Sequence, residues 1–438
     1  MSWITGRLRE RRNLQQVVGN SGWLFIDWTF RSAAGLAVGI WVARYLGPAD
    51  YGALNYAVAF VSLFTAVATL GLDTIVVRDV TRAPERKDTI LGTAFVLRFA
   101  AACLAAVGSF VCIALLKPHN PRVWQLVAAI AAGMLFQSFD VVDFWFQAQI
   151  RSKYSVYARS GGVALAMLGR IALIAVGAPL LAFAIVSSAE LAMIAAGLAA
   201  AYLLTGNRLR SWSFSSSESA ALLRNAWPLI VSTVAVYVQA RIDQVMLGEM
   251  LGDAEVGQYS VAMRLIEAAS FVPMIIYSSV APTVTQAKLR GEEQYLERLK
   301  NIYRLMFIVF LLTAVPTFLL AGWLVPLVYG EAYRQAGLLL ALFAPRLLFA
   351  NFGVARSLFI TNDNLFTHAL LASVTGAVVN VALNYWLIPP YRSVGAIVAM
   401  IVSFTVTIFL FDLVSRRART NLALMLSAMM SPWRLQLT

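Results

Sequence analysis

Leu46-Gly47-Pro48-Ala49-Asp50-Tyr51-Gly52 reads against Leu251-Gly252-Asp253-Ala254-Glu255-Val256-Gly257 at an offset of 205 residues, and Asn20 and Asn225 keep the same offset. In each copy the motif closes an apolar run, turns at glycine and opens the next run, with Tyr56-Ala57-Val58-Ala59 or Tyr259-Ser260-Val261-Ala262. Glycine and acidic residues are common in tight turns, so one such pair is weak by itself. Its place in the chain strengthens it. A motif that recurs after six apolar runs, on the same side, implies a parallel repeat about an axis along the membrane normal, with substrate held between the halves.

Working outward, apolar runs fall near residues 17–44, 53–77, 89–116, 122–147, 156–177 and 181–205, then near 226–248, 257–283, 302–328, 336–360, 366–388 and 393–415. Each approaches or exceeds the roughly 20 residues that an α-helix needs to cross a bilayer. The chain is 60% hydrophobic and only 13% charged, outside the range of soluble globular domains. The expectation is an all-α polytopic membrane protein of about twelve helices in two pseudo-symmetric six-helix lobes around a central cavity. Its expected parts are a basic N-terminus at 1–16, a first lobe at 17–205, a linker at 206–225, a second lobe at 226–415, and a cytoplasmic or interfacial tail at 416–438. The polar start lacks a clear cleavage site and reads as the inside flank of a retained span.

A net charge of +13 suggests nucleic acid only until the basic residues are located. One set of ends and loops holds 23 of the 35 Lys and Arg, among them Arg7, Arg82, Arg151, Arg210, Lys300 and Arg417. The alternate loops hold five, namely Arg44, Lys117, Arg122, Arg334 and Arg392. By the positive-inside rule both termini are expected in the cytoplasm, and the charge needs no nucleic-acid partner. Cys103 and Cys112 lie on opposite faces of one expected helix, which disfavours a disulfide. His119 and His368 have no ligand-spaced neighbours, so no metal site is readable. There is no glycine-rich nucleotide loop, no cofactor is expected, and short external loops leave little room for covalent chemistry.

Several stretches resemble one family. They are Arg44 to Asp50 with Tyr51-Gly52, Leu70-Gly71-Leu72-Asp73 to Val77-Arg78, Asp243 to Pro273 with Val256-Gly257-Gln258-Tyr259, and Gly376 to Pro389 followed by Gly395-Ala396. In order along the chain, these are similar to the polysaccharide-biosynthesis or O-antigen (Wzx-like) flippases of the multidrug, oligosaccharidyl-lipid and polysaccharide (MOP) exporter superfamily. The resemblance implies a MATE-like fold in a bacterial inner membrane and a role in surface polysaccharide assembly such as lipopolysaccharide. The implied activity is translocation of a polyprenyl-diphosphate-linked glycan by alternating access, without catalysis. Implied partners are that glycan lipid, membrane lipids, H⁺ or Na⁺, and other polysaccharide-assembly proteins. Two other readings stay open: an ion-coupled multidrug exporter of the same superfamily, and a membrane glycan polymerase or glycosyltransferase.

Seven arginines fall at membrane depth: Arg31, Arg98, Arg170, Arg241, Arg264, Arg346 and Arg356. Each costs about 2.5–3.5 kcal/mol on insertion scales and so requires a reason. One reason is pairing. Asp27 with Arg31 and Arg264 with Glu267 share helix faces, Asp140 and Asp143 invite a basic partner, Arg170 can meet Glu190, and Arg98 and Arg356 can snorkel to the surface. The other reason is an anionic ligand, because the guanidinium fork matches phosphate oxygens. First and eighth spans line the cavity in proteins the chain resembles, so Arg31 and Arg264 lead the substrate-binding candidates, followed by Arg241, Arg346 and Arg98. Asp243, Asp73, Asp27 and Glu267 are the ion-coupling candidates.

Overall fold

A computed structural model describes the backbone of residues 2–270 and 272–435, and the side chains of 34–270, 272–277 and 279–435. Every regular element in it is a helix, and fifteen α-helices follow one another. The first eight are α1 (Ser2–Ala68), α2 (Asp73–Arg82), α3 (Lys87–Leu116), α4 (Pro121–Phe136), α5 (Asp140–Ala148), α6 (Lys153–Ala175), α7 (Leu180–Leu204) and α8 (Ser216–Met250). The rest are α9 (Asp253–Ala269), α10 (Val272–Arg290), α11 (Glu292–Tyr329), α12 (Arg334–Phe343), α13 (Arg346–Asn362), α14 (Phe366–Thr405) and α15 (Arg416–Met430).

Among the described residues nine helical segments are long and apolar enough to cross a membrane, or ten when α12 and α13, bent by 46°, make one broken span. Two of those segments contain a break, at Gly47 (φ 71°, ψ 172°) in α1 and at Arg392 (φ 53°, ψ −139°) in α14. Separated at these two points, the ten become twelve, in the order the apolar runs predict. The chain is a multi-pass membrane protein, because only helices of this kind satisfy their own backbone groups in lipid.

It divides into two compact units, one of residues 1–42 with 60–234 and the other of 43–59 with 235–438. In the first unit the helices approach through small residues, the usual solution where lipid removes the hydrophobic drive between them. Gly162 of α6 meets Ile194 of α7, Gly197 of α7 meets Ala158 of α6, and Gly133 of α4 lies against Ser188 of α7. Charge holds the rest. Arg98, 3% exposed, does not snorkel as expected; it is bound by Asp73 at 2.7 Å and Asp140 at 3.5 Å and lies over the Phe144 ring. Arg159, counted as a loop residue in the sequence, is the basic partner of Asp140 and Asp143, at 2.9 Å from each. Arg170 meets Glu190 at 2.7 Å, as expected.

The second unit contains the repeated motif twice. Gly47 and its counterpart Gly252 (φ 91°, ψ 176°) take the same left-handed turn, a backbone state that favours glycine. A Cβ on Gly52 would run into the Asp253 carbonyl, and a Cβ on Gly257 would run into the Pro48 carbonyl. These two contacts are the same contact made reciprocally, since 52 pairs with 257 and 48 with 253 at the 205-residue offset.

Farther along, an aromatic core of Tyr295, Tyr303, Phe352 and Phe359 receives Met425 and Ala428 of α15. Beside it Arg356, also expected to snorkel, is buried against Asp412, which accepts further hydrogen bonds from His368 at 2.9 Å and Asn421 at 3.1 Å. Breaking such a buried pair strands a charge, so the network fixes α13, α14 and α15 relative to one another. Asp363, after α13, draws in Lys288 of α10, Tyr295 of α11 and Arg417 of α15.

Two outcomes are expected. Gly52→Val and Gly257→Val each lower the thermal unfolding midpoint, by roughly 1–3 kcal/mol of overpacking or more. Gly322→Ala, where a Cβ meets open space, leaves it unchanged or slightly raised. Burial alone would raise the Asp363 carboxyl, but the hydrogen bonds from Lys288, Tyr295 and Arg417 hold it below the ordinary carboxylate value. A depressed folded value gives stability that is complete above about pH 4 and lost as pH falls through the lower folded value. Asp363→Asn should therefore cost roughly 2 kcal/mol at neutral pH and flatten the acid limb of the midpoint-versus-pH curve.

Candidate functional site

Helix α8 carries Asp243 and Arg241 two residues apart, α9 carries Tyr259, Arg264 and Glu267, α13 opens with Arg346, and α14 carries Asn380 and Asn384. All belong to the second unit. The break at Gly252 turns the chain from α8 into α9, which sets Tyr259 against Asp243.

Asp243 is 1% exposed. One carboxylate oxygen accepts from the Tyr259 hydroxyl at 2.8 Å and the other from Asn384 Nδ2 at 2.6 Å. Asn384 Nδ2 also donates to Asn380 Oδ1, one turn earlier, at 3.2 Å. Among the described residues Asn384 Oδ1 and Asn380 Nδ2 are buried without hydrogen-bond partners. Arg346 lies within electrostatic reach of Asp243 and Tyr259, and its buried Nη1 also lacks a hydrogen-bond partner. The direct hydrogen-bond partners of Asp243 are thus neutral, with an amide oxygen left over beside the carboxylate. A hard monovalent cation takes oxygen ligands of this kind, and a proton needs only the carboxylate. No group of three or more His, Cys, Asp or Glu suited to a metal ion occurs among the described residues.

Arg241 pairs with Glu267 at 3.3 Å, both about one-third exposed. Glu267 lies within electrostatic reach of Arg264 as well, so the expected Arg264–Glu267 neighbourhood exists while the ion pair itself goes to Arg241. Arg264 donates from Nη1 to the Tyr51 hydroxyl at 3.4 Å. Tyr51 stands edge-on to Tyr333, Tyr333 edge-on to Tyr329, and the Tyr329 hydroxyl is buried without a hydrogen-bond partner. Among the described residues the structure therefore brings together Arg241, Arg264, Arg346, Asp243 and Glu267, three cations and two carboxylates. Arg98 and Asp73 belong to the other unit and are bound to each other. The side chains of Arg31 and Asp27 lie outside the described residues.

Sequence reading left Tyr51, Tyr259 and Asn384 out of the site. Asn380 and Asn384 stand at i, i+4 spacing, and Asn384 reaches across to the neighbouring α8, where it meets a candidate site residue, Asp243. The signal for Tyr259 was present, since it opens the second copy of the repeat. Glu255 and Gln258, in the same stretch, anchor the surroundings. Glu255 accepts from Arg392 at 2.9 Å, Ser393 at 2.8 Å and Gln335 at 3.0 Å, and Gln258 donates to the Ala332 carbonyl and accepts from the Ala336 amide.

The model of the MatE family matches residues 228–386, the span that holds most of the cluster. A curated relative, the probable low-salt glycan biosynthesis flippase Agl15 of Haloferax volcanii, is 26% identical over 183 residues, 40% of this chain and 38% of that protein. The match thus spans well under half the relative's length. Among solved structures, the lipid II flippase MurJ in an inward closed conformation aligns with a TM-score of 0.73 at 12% identity, covering 93% of this chain and 91% of that one. An inward-facing MATE family multidrug resistance transporter of the MOP superfamily aligns at 0.68 and 17% identity, covering 92% and 95%. At these identities the likeness shows the fold, which is the MATE-like fold expected. The family model described as polysaccharide biosynthesis protein matches residues 17–288, more than half the chain, and the chain belongs to that family.

Proposed function

We propose that this protein is a glycan flippase that carries a polyprenyl-diphosphate-linked oligosaccharide from the cytoplasmic to the outer leaflet of a bacterial inner membrane, for surface polysaccharide assembly of the O-antigen or lipopolysaccharide kind. The observation that supports this most is the surplus of arginine in the α8, α9 and α13 cluster. Among the described residues Arg241, Arg264 and Arg346 outnumber Asp243 and Glu267, and a guanidinium keeps its charge and its paired donors when partly desolvated. A diphosphate offers the complementary oxygens. The family, and a relative named as a glycan flippase, agree with it.

Translocation is alternating access, with the glycan and diphosphate shielded and the lipid tail left in the bilayer. It forms no covalent bond, so the protein is a transporter and not an enzyme. Asp243 is the coupling group, taking up H⁺ or Na⁺ and releasing it as the conformation changes; its neutral partners leave its charge available. Both termini are cytoplasmic in this reading, and other assembly proteins supply and consume the substrate. The MatE match favours drug export as a second reading, but cationic drugs fit poorly beside three arginines.

The test is transport of a labelled polyprenyl-diphosphate glycan across liposomes. Arg241→Ala and Arg264→Ala should each slow it about tenfold or more at matched protein levels, since a charged hydrogen bond contributes roughly 1.5–3 kcal/mol. Wild-type rates in both variants would remove the arginines from the substrate site, and wild-type protein that moves a cationic drug but no glycan lipid would replace the reading by drug export. Asp243→Asn should retain slow transport that no longer responds to an imposed H⁺ or Na⁺ gradient. An undiminished gradient response in that variant would exclude Asp243 as the coupling group.

A further inference from the structure

Every exposed residue of α15 lies on one stripe. Arg416, Arg419, Ala423, Leu426 and Met430 recur at steps of three and four, and Trp433, just beyond the helix, continues the series. The opposite stripe, made of Ala418, Asn421, Met425 and Ala428, is buried. Asn421 donates to Asp412 and accepts from the Tyr303 hydroxyl, while Met425 and Ala428 enter the aromatic core. The inner face of α15 is thus occupied by the second unit. The outer face carries apolar side chains that the chain itself leaves open, with Met430 71% and Trp433 78% exposed.

The two ends of α15 fix its depth. It starts two residues after Val414, which continues the exposed apolar surface of Leu410 and Leu413 at the end of the span that α14 opens. The lipid boundary therefore lies close to Arg416. At the other end Arg304 of α11 donates to the Arg434 carbonyl at 2.9 Å and to the Ser431 hydroxyl at 3.3 Å. Arg304 stands where the charged start of α11, with Glu297, Arg298 and Lys300, gives way to its apolar run. This end is at the boundary too. A helix of 15 residues is about 22 Å long. Projecting away from the membrane, it would carry Ser431 about that far into water, out of reach of Arg304. With both ends at the boundary, α15 lies along it.

The bilayer interface and a second copy of the chain are the two surfaces able to cover such a stripe, and the depth favours the first. We propose that α15 is an interfacial helix that docks on the membrane lipids, with Leu426, Met430 and Trp433 among the glycerol and upper acyl groups. Arg416 and Arg419 reach the headgroup level, where a long stem lets the charged end stay in the polar layer. Amphipathic helices at this position bury their apolar face by about 5–10 Å, a depth that tryptophan also prefers. Through Asn421 with Asp412 and Arg417 with Asp363, the same helix ties the lipid surface to α10, α11, α13 and α14. The docking does not depend on what the protein transports.

The experiment uses the full chain with Cys103→Ser and Cys112→Ser, carrying Arg419→Cys, Leu426→Cys or Met430→Cys one at a time. Each is spin-labelled and reconstituted in phosphatidylcholine and phosphatidylglycerol liposomes. Collision with oxygen, which concentrates in lipid, is compared with collision with a water-soluble nickel chelate. Oxygen should dominate at positions 426 and 430, and the ratio should invert at position 419. All three substitutions are on the exposed stripe and leave the Asp412 and Asp363 clusters intact. Chelate dominance at either apolar position would overturn the proposal in favour of a tail in water. Dipolar coupling between labels of two chains at those positions would overturn it in favour of a second copy.

Discussion

The second unit depends on the contact of two backbone turns with no side chain between them. Gly52 lies on the Asp253 carbonyl and Gly257 on the Pro48 carbonyl, so that residues far apart in sequence meet at a distance only glycine allows. From that contact the neighbouring side chains take their directions. Glu255 reaches the break in α14 at Arg392, Gln258 reaches the turn before α12, and Tyr259 reaches Asp243 on α8. The stretch that carries the family resemblance is therefore a stretch in which nearly every residue has a structural task. A glycine that permits close approach and a tyrosine that orients a buried carboxylate belong to one motif because one turn serves both.

Charge within the helices is distributed unevenly, and the imbalance separates scaffold from site. In the first unit Arg98 and Arg159 face three carboxylates, Asp73, Asp140 and Asp143, at 2.7–3.5 Å. Arg170 and Arg356 each have a close acidic partner. Lipid makes an unpaired charge so costly that these arginines are held as fasteners. Among the described residues, the α8, α9 and α13 cluster holds three arginines against two carboxylates, and Arg346 has a buried guanidinium nitrogen without a hydrogen-bond partner.

How far the sequence revealed this follows from the range of each signal. Apolar runs and the 205-residue repeat are properties of the chain itself, so the spans and their order were legible. Arg170 with Glu190 was legible because both lie at matching depth on consecutive spans. Arg98 and Arg356 were misread as snorkelling residues because their partners, Asp73 and Asp140 for the first and Asp412 for the second, sit 25, 42 and 56 positions away and are chosen by packing. Arg264 and Glu267 share a helix face, yet Arg241 on α8 takes the carboxylate, since an i, i+3 pair competes with any helix that packs alongside. The break at Gly47 could be read from Gly-Pro, whereas that at Arg392, a non-glycine residue at φ 53°, could not.

Among the coupling candidates whose side chains are described, the nature of the partner distinguishes one. Asp73 is bound to Arg98 and Glu267 to Arg241, so neutralising either would break an ion pair. Asp243 is held by a phenol and an amide, both of which can remain hydrogen-bonded when the carboxylate is protonated or shares its charge with a cation. Its change of charge is also felt by Arg346, which lies within electrostatic reach but is not hydrogen-bonded to it. Any change of charge at Asp243 therefore acts on a guanidinium within the arginine-rich cluster.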